Sequence, residues 1–177
     1  LAPQSQVVEV GANVTFQTEV TGTGPFSYQW WFNETNLITR ATNAALALAN
    51  AAADQAGGYS LSVSNSVGAV RSRTAILQVV EKGTPVIRLN GQVGTSFTLA
   101  DGEPAMIQIQ SSFTNASIFY TLDGSAPDTS STLYTAPFAL TNSSVVRAIA
   151  YDSSFASALS APMPVSFFHS YPLTASA

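Results

Sequence analysis

The feature that most restricts this chain is a two-residue period. Val14, Phe16, Thr18 and Val20 alternate with Asn13, Thr15, Gln17 and Glu19, and Phe26, Tyr28, Trp30 and Phe32 alternate with Ser27, Gln29, Trp31 and Asn33. Tyr59, Leu61 and Val63 alternate with Ser60, Ser62 and Ser64, and Ala75, Leu77 and Val79 close the first half in the same way. Successive side chains of an extended strand point to opposite faces, so these runs describe strands with one apolar and one polar face. Helical stripes are scarce. Ala41 to Ala56 holds nine alanines, the best helix former. Yet Leu46 and Leu48 alternate within it and Gly57-Gly58 follows, so the segment reads as a short strand and then a single helical turn.

The second half repeats the pattern. Ile107 and Ile109 share a face, as do Ile118, Tyr120 and Leu122; Val146, Ala148 and Ala150 oppose Val145, Arg147 and Ile149, and Arg147 marks the latter face as partly wet. Asp123-Gly124 directly follows a strand and signals a tight turn. Between the halves, Glu81-Lys82-Gly83-Thr84-Pro85 breaks the alternation and reads as a short linker. Short strands that recur about every 8–12 residues, with turn residues between them, argue for all-β sandwiches. The expected organisation is therefore all-β: a β-sandwich over residues 1–80, a linker over 81–85, a second β-sandwich over 86–169 and a tail over 170–177. With 177 residues there is room for two such units.

Composition narrows the function classes. Charged residues make up 9% of the chain and hydrophobic ones 46%; low charge with many hydroxyl side chains suits exposed strand faces, where Thr is a good strand former. Residues 1–80 carry 3 basic and 4 acidic groups (−1), residues 84–177 carry 2 and 5 (−3), and Glu81 and Lys82 cancel, which gives the net −4. Nothing here would neutralise a phosphate backbone, so nucleic acid is not an expected partner, and anionic membrane surfaces are disfavoured for the same reason. The absence of Cys excludes disulfides and thiolate metal sites. No apolar run reaches the roughly 20 residues that span a bilayer. The chain starts at Leu1 with no leader pattern, and it reads as a fragment or processed piece of a larger chain.

No catalytic constellation is expected. The sole histidine, His169, sits near the end of the chain and reads as a rim or tail side chain; a serine triad needs a His oriented by a carboxylate. Asp123 and Asp128 are close in sequence, but both lie in turn contexts rather than as a glycosidase pair. Asp123, Ser125 and Asp128 could supply some of the oxygens of a calcium site, but no oxygen-ligand motif is complete, and a turn in which Asp123 accepts backbone N–H bonds is the favoured reading. Gly22-Thr23-Gly24-Pro25 is a turn and not a phosphate cradle, because a strand and not a helix follows it. Asn13, Asn33, Asn115 and Asn142 head Asn-x-Ser/Thr triplets, which a Ser- and Thr-rich chain produces by chance. No cofactor is expected. Alternation places Trp30 inward and Trp31 outward, so Trp31 is the first candidate for ligand or partner contact. Tyr134 is the second, and Phe155 and Tyr171 are weaker.

Two resemblances add to this reading. Val10-Gly11, Val14-Thr15-Phe16, Tyr28-Gln29-Trp30, Leu46-Ala47-Leu48, Ala56-Gly57-Gly58-Tyr59 and Ser64-Asn65-Ser66-Val67-Gly68 resemble, in order and spacing, an intermediate-set immunoglobulin domain. The resemblance implies that Trp30 is the buried core Trp and Tyr59 the corner tyrosine. It also implies that the family's disulfide positions fall at Thr18 and Leu61, so that Leu61 packing on Trp30 must replace a cross-link worth about 2–4 kcal/mol. Gln55 stands where the family carries Asp, with Asp54 one place earlier. In the second half, Ile118-Phe119-Tyr120-Thr121-Leu122-Asp123-Gly124-Ser125-Ala126-Pro127, Ser131-Thr132-Leu133-Tyr134-Thr135-Ala136-Pro137 and Val145-Val146-Arg147-Ala148-Ile149-Ala150 resemble a chitobiase/β-hexosaminidase C-terminal-type domain, with Tyr120, Asp123 and Gly124 as its signature. This implies a second immunoglobulin-like sandwich of accessory type and does not carry over hexosaminidase activity. The expectation is a non-catalytic, monomeric module pair of a larger exported bacterial protein, extracellular or at the cell surface. It would space or present neighbouring domains; glycan binding through exposed aromatics and adhesion are the alternatives.

Overall fold

A computed structural model describes residues 2–100, 103–162 and 164–170, without the side chains of His169 and Ser170. The chain divides between Glu81 and Lys82 into two compact units. Both are β-sandwiches. The period-two segments have become strands, as alternation dictates when one face is buried.

The first unit runs β1 (Gln6–Glu9), β2 (Val14–Gln17), β3 (Ser27–Phe32), β4 (Asn36–Leu37), β5 (Ala45–Leu48), β6 (Gly57–Ser64), β7 (Ala69–Arg71) and β8 (Ala75–Val80). One sheet has the order β1-β8-β6-β3-β4, with β7 also on β6; β2 and β5 form the other. The alanine-rich segment is, as expected, strand β5 followed by a single 3-10 turn at Ala53–Gln55. Trp30 is fully buried among Val14, Phe16, Leu46, Tyr59, Leu61 and Leu77. Its indole N–H, which must find a partner when buried, donates to the Asn43 carbonyl at 2.9 Å.

The second unit runs β9 (Val86–Leu89), β10 (Ser96–Ala100), β11 (Ala105–Gln110), β12 (Ser117–Thr121), β13 (Thr132–Leu133), β14 (Phe138–Leu140), β15 (Ser144–Tyr151), β16 (Ala158–Ser160) and β17 (Val165–Ser170). Its main sheet has the order β10-β17-β15-β12-β13, with β16 also on β15, and faces β14-β11-β9. Its separate core gathers Ile87, Leu89, Ile107, Ile109, Ile118, Val146, Ala148, Ala150 and Phe167.

The wiring of the two main sheets is the same strand for strand: β1, β8, β6, β3 and β4 correspond to β10, β17, β15, β12 and β13. In both, the first strand of the sheet pairs in parallel with the last, Gln6 opposite Leu77 and Ser96 opposite Ser166. The second unit adds β9, which has no counterpart on β2.

The linker segment is ordered. Gly83, Thr84 and Pro85 are buried, Ser111 Oγ donates to the Gly83 carbonyl at 2.6 Å, and the Gly83 N–H donates to Ser112 Oγ at 2.9 Å. A Cβ on Gly83 would lie 2.3 Å from the Phe113 ring, so only glycine lets the backbone approach that closely. Of the expected tail, Ser170 pairs with Ala100 in β17, and 171–177, including Tyr171, lie outside the described residues.

Candidate functional site

Because β3 and β12 are equivalent strands, the outward faces of the two main sheets can be compared position by position. Trp30 and Ile118 point inward, so Trp31 and Phe119 point outward; each is paired with a leucine of the next strand, Trp31 with Leu37 and Phe119 with Leu133. The two leucines are 52% and 50% exposed. Each unit thus shows an aromatic and a leucine side by side on its open sheet face.

On the first unit, Trp31 is not the bare platform expected from alternation. It is half-buried. The Arg71 guanidinium lies 5.1 Å from the ring centroid, a cation–π arrangement. Ser60 Oγ accepts from Arg71 Nε at 3.0 Å, and the Glu34 carbonyl accepts from Arg71 Nη2 at 2.6 Å. The Trp31 N–H donates to Ser62 Oγ at 2.9 Å. Strand β7 supplies this cover, and a period-two argument on β3 alone carries no information about it.

On the second unit the aromatic surface extends further. Phe119 meets Tyr151 edge-on at 5.9 Å, and Tyr151 stacks with Phe155 at 5.3 Å. Phe155 is 51% exposed and sits in the loop after β15 with φ of 58°, unusual for a bulky side chain. Tyr134, the other expected contact residue, turns inward instead. It packs on the core cluster with Tyr120 and Phe138, at 6.4 and 6.3 Å. The bond from its N–H to the Ile118 carbonyl, 2.7 Å, draws the chain back over the sheet just past β13.

The acidic turns have the geometry expected of turns. Asp123 Oδ1 accepts from the Ser125 N–H at 2.9 Å and from Ser125 Oγ at 2.6 Å. Asp128 Oδ1 accepts from the Ser130 N–H at 2.8 Å and from Ser130 Oγ at 2.6 Å, and Asp152 Oδ1 accepts from the Ser154 N–H at 3.1 Å and from Ser154 Oγ at 2.9 Å. The repeated Asp-x-Ser unit is a side-chain mimic of a backbone turn. Hydrogen bonds from Ser125 hold the Asp123 carboxyl below the usual carboxylate range, and bonds from Ser130 and Ser131 do the same for Asp128. At Asp152 desolvation is the largest influence and pushes upward, but the bonds from Ser154, Ser157 and Ala156 together outweigh it, and the net direction is down. Gly124, with φ of 82°, allows the Asp123 turn; a Cβ there would come within 3.2 Å of Val145 Cγ1. Among the described residues no three His, Cys, Asp or Glu side chains group as a metal site.

Two adjoining clefts mark the first unit, of about 420 and 260 Å³. They share Val20, Thr21, Val63 and Val70. Their walls are mostly apolar and hydroxyl side chains, and neither is lined by two carboxylates, the pair that glycoside hydrolysis requires. The side chain of His169 lies outside the described residues. Asn13, Asn33, Asn115 and Asn142 are all exposed, and the side-chain oxygens of Asn13 and Asn33 accept the backbone N–H groups of Asn50 and Gly58.

Residues 1–79 match the family model of the immunoglobulin I-set domain, and residues 99–161 match that of the chitobiase/beta-hexosaminidase C-terminal domain. The two matches lie in tandem along the chain. In the I-set-like unit, the Tyr59 hydroxyl donates to the Gln55 carbonyl at 2.7 Å, the kind of bond expected of a corner tyrosine; burial and then the nearby Asp54 charge raise its pKa. Leu61 faces Trp30 across the β3–β6 ladder, and Thr18 Oγ1 donates to the Ala44 carbonyl at 3.0 Å. The chain is 45% identical over 86 residues to "Cartilage intermediate layer protein 2" of Homo sapiens and 39% identical over 84 residues to that of Mus musculus. These matches cover 47% and 46% of this chain but 7% of either relative. Among solved structures it is similar to Sidekick-1 immunoglobulin domains 1-5, at 16% identity and a TM-score of 0.43 over 96% of this chain and 38% of that one. It is also similar to the N-terminal four Ig domains of Dscam1 isoform 6.9, at 13% and 0.42 over 94% and 43%. Domains of both matched families are typically accessory rather than catalytic, and no described helix is long and apolar enough to cross a membrane.

Proposed function

We propose that this chain is a non-catalytic, monomeric pair of accessory modules in a larger exported protein, outside the cell, where it spaces and presents neighbouring domains. The observation that carries this reading is the pair of equivalent outward faces, Trp31 with Leu37 and Phe119 with Leu133; the two clefts of the first unit are not lined by paired carboxylates. Sheet faces with exposed anchors serve contact, whereas chemistry needs converging polar groups in a concavity. A relative named for a cartilage layer agrees with an extracellular setting. The test is to replace the pair, within its parent chain, by a flexible linker of equal reach and to measure the parent's binding or activity. Loss supports the reading; an unchanged parent refutes it.

One observation favours glycan as the material contacted: Tyr151 and Phe155 form a ring pair with the outer residue half exposed, and an aromatic face is a rigid surface for a sugar ring. An array of chitin, cellulose and host glycans should show binding that Phe155→Ala abolishes. Silence across the array removes this version and leaves the spacer reading.

A further inference from the structure

The β6–β7 and β15–β16 loops occupy equivalent places in the two units, and each is tied by one side-chain oxygen. In the I-set unit that oxygen belongs to an amide: Asn65 Oδ1 accepts from the N–H groups of Val67 at 2.9 Å and Gly68 at 3.1 Å, while Asn65 Nδ2 donates to the Thr23 carbonyl at 2.9 Å. In the chitobiase-type unit it belongs to a carboxylate: Asp152 Oδ1 accepts from the N–H groups of Ser154 and Ala156, both at 3.1 Å, and from Ser154 Oγ at 2.9 Å. An amide does not titrate; a carboxylate does.

The two N–H groups held by Asp152 flank Phe155 on either side. The Phe155 N–H donates to the Asp152 carbonyl at 3.1 Å. Asp152 thus makes most of the bonds around the left-handed backbone that places the Phe155 ring on Tyr151; the Ala156 N–H also reaches Ser154 Oγ at 3.4 Å, and the Asp152 N–H donates to the Ser157 carbonyl at 3.0 Å. Non-glycine residues persist in that region only where their surroundings hold them there.

We propose that the Asp152 carboxylate is the positioning group for Phe155, and that its protonation releases the ring, so that the aromatic end of this face comes apart in acid while the Asn65 loop keeps its form. Bonds to an ionised acceptor are roughly twice as strong as neutral ones, so protonation weakens all three bonds to Oδ1 together. Strands β12, β16 and β17 pair with β15. β16 carries no ionisable side chain and β12 carries only Tyr120, which packs inward on Phe138; β17 pairs with the opposite end of β15, at Ser144 to Val146, and its one titratable residue, His169, has its side chain outside the described residues. On β15 itself, Tyr151 adjoins Asp152, and Arg147 lies opposite Thr121 at the far end of the ladder. The donors to Asp152 are all neutral, and its carboxyl sits below the usual range. A depressed carboxyl contributes while it is ionised, so the arrangement is complete above the ordinary value of about 4 and is lost as the pH falls through the lower, folded value.

The inference concerns the face on which the contact reading rests, but its test needs no ligand, so either can fail alone. Ring-proton signals of Phe155 and Tyr151 are followed by NMR on the whole chain from neutral to acid pH, with the Val67 and Gly68 amides as internal reference. The expected result is one step, below the usual carboxylate range, that moves both rings and leaves the reference amides in place. Asp152→Asn keeps the acceptor oxygen and should abolish the step; Asp152→Ala should show the released ring positions already at neutral pH, where the core is intact. Rings that do not move in Asp152→Ala, or a step that survives in Asp152→Asn, overturn the proposal.

Discussion

Restoring the cross-link that the I-set unit lacks is a quantitative test of how its core is built. Thr18 and Leu61 line the same cleft, at the positions where the family carries its disulfide, so Thr18→Cys with Leu61→Cys should oxidise to an intramolecular bridge. The closed loop spans 61 − 18 = 43 residues, for which chain entropy gives about 4 kcal/mol at 25 °C, against a usual measured range of about 2–4. Leu61 is 1% exposed, and shortening it opens a cavity, but that cost is present in both redox forms of the double variant. It cancels when oxidised and reduced protein are compared. For a unit of this size, each kcal/mol shifts the melting temperature by about 4–8 °C, so the oxidised form should melt roughly 10–30 °C higher. Calorimetry with and without reductant reads the difference. The chitobiase-type unit, untouched by either substitution, should melt at the same temperature in both. Redox forms that melt together, or thiols that stay free under mild oxidant, would show that the two side chains do not face each other across the sandwich.

Three further outcomes are expected. Tyr59→Phe removes the donor to the Gln55 carbonyl and should cost the I-set unit about 1 kcal/mol, measured by urea unfolding, with near-UV spectra otherwise preserved; no loss would mean that the corner bond is replaced by water. Gly124→Ala places a Cβ 3.2 Å from Val145 in a left-handed backbone and should destabilise the chitobiase-type unit by about 1–2 kcal/mol, visible as a lower melting temperature for that unit alone. Because Asp123, Asp128 and Asp152 all sit below the usual range, their contribution is present above about pH 4 and falls away as the pH drops further. Scanning calorimetry below that pH should therefore find the chitobiase-type unit weakening before the I-set unit, and the joint Asp123→Asn and Asp128→Asn variant should narrow the gap.

Strand positions were legible because burial on one face writes itself into alternate residues: Val14 and Phe16, Ile107 and Ile109, Val146 and Ala148 are all buried as the period requires. The Asp123 turn was legible because Asp-Gly has a local mechanism. What alternation cannot state is what lies across from an outward side chain. Trp31 was placed on the correct face, but its cover comes from Arg71 on a strand far along the chain. Tyr134 turns onto the core because it lies just past β13, which is only two residues long, too short for alternation to orient it. The Phe119, Tyr151 and Leu133 surface was missed, although the signal existed: if Ile118 and Tyr120 face inward, Phe119 faces outward by the same logic that singled out Trp31. Parallel pairing of first and last strands leaves no local trace, since it joins residues at opposite ends of a unit.

That pairing has a mechanical consequence. When the strand by which the chain enters a sheet runs alongside, and in the same direction as, the strand by which it leaves, tension along the polypeptide pulls the two past each other rather than peeling them apart. The four registered pairs from Gln6–Leu77 to Glu9–Val80, and the five from Ser96–Ser166 to Ala100–Ser170, then share the load and must slide together. A chain so threaded resists stretching as a set of clamps in series.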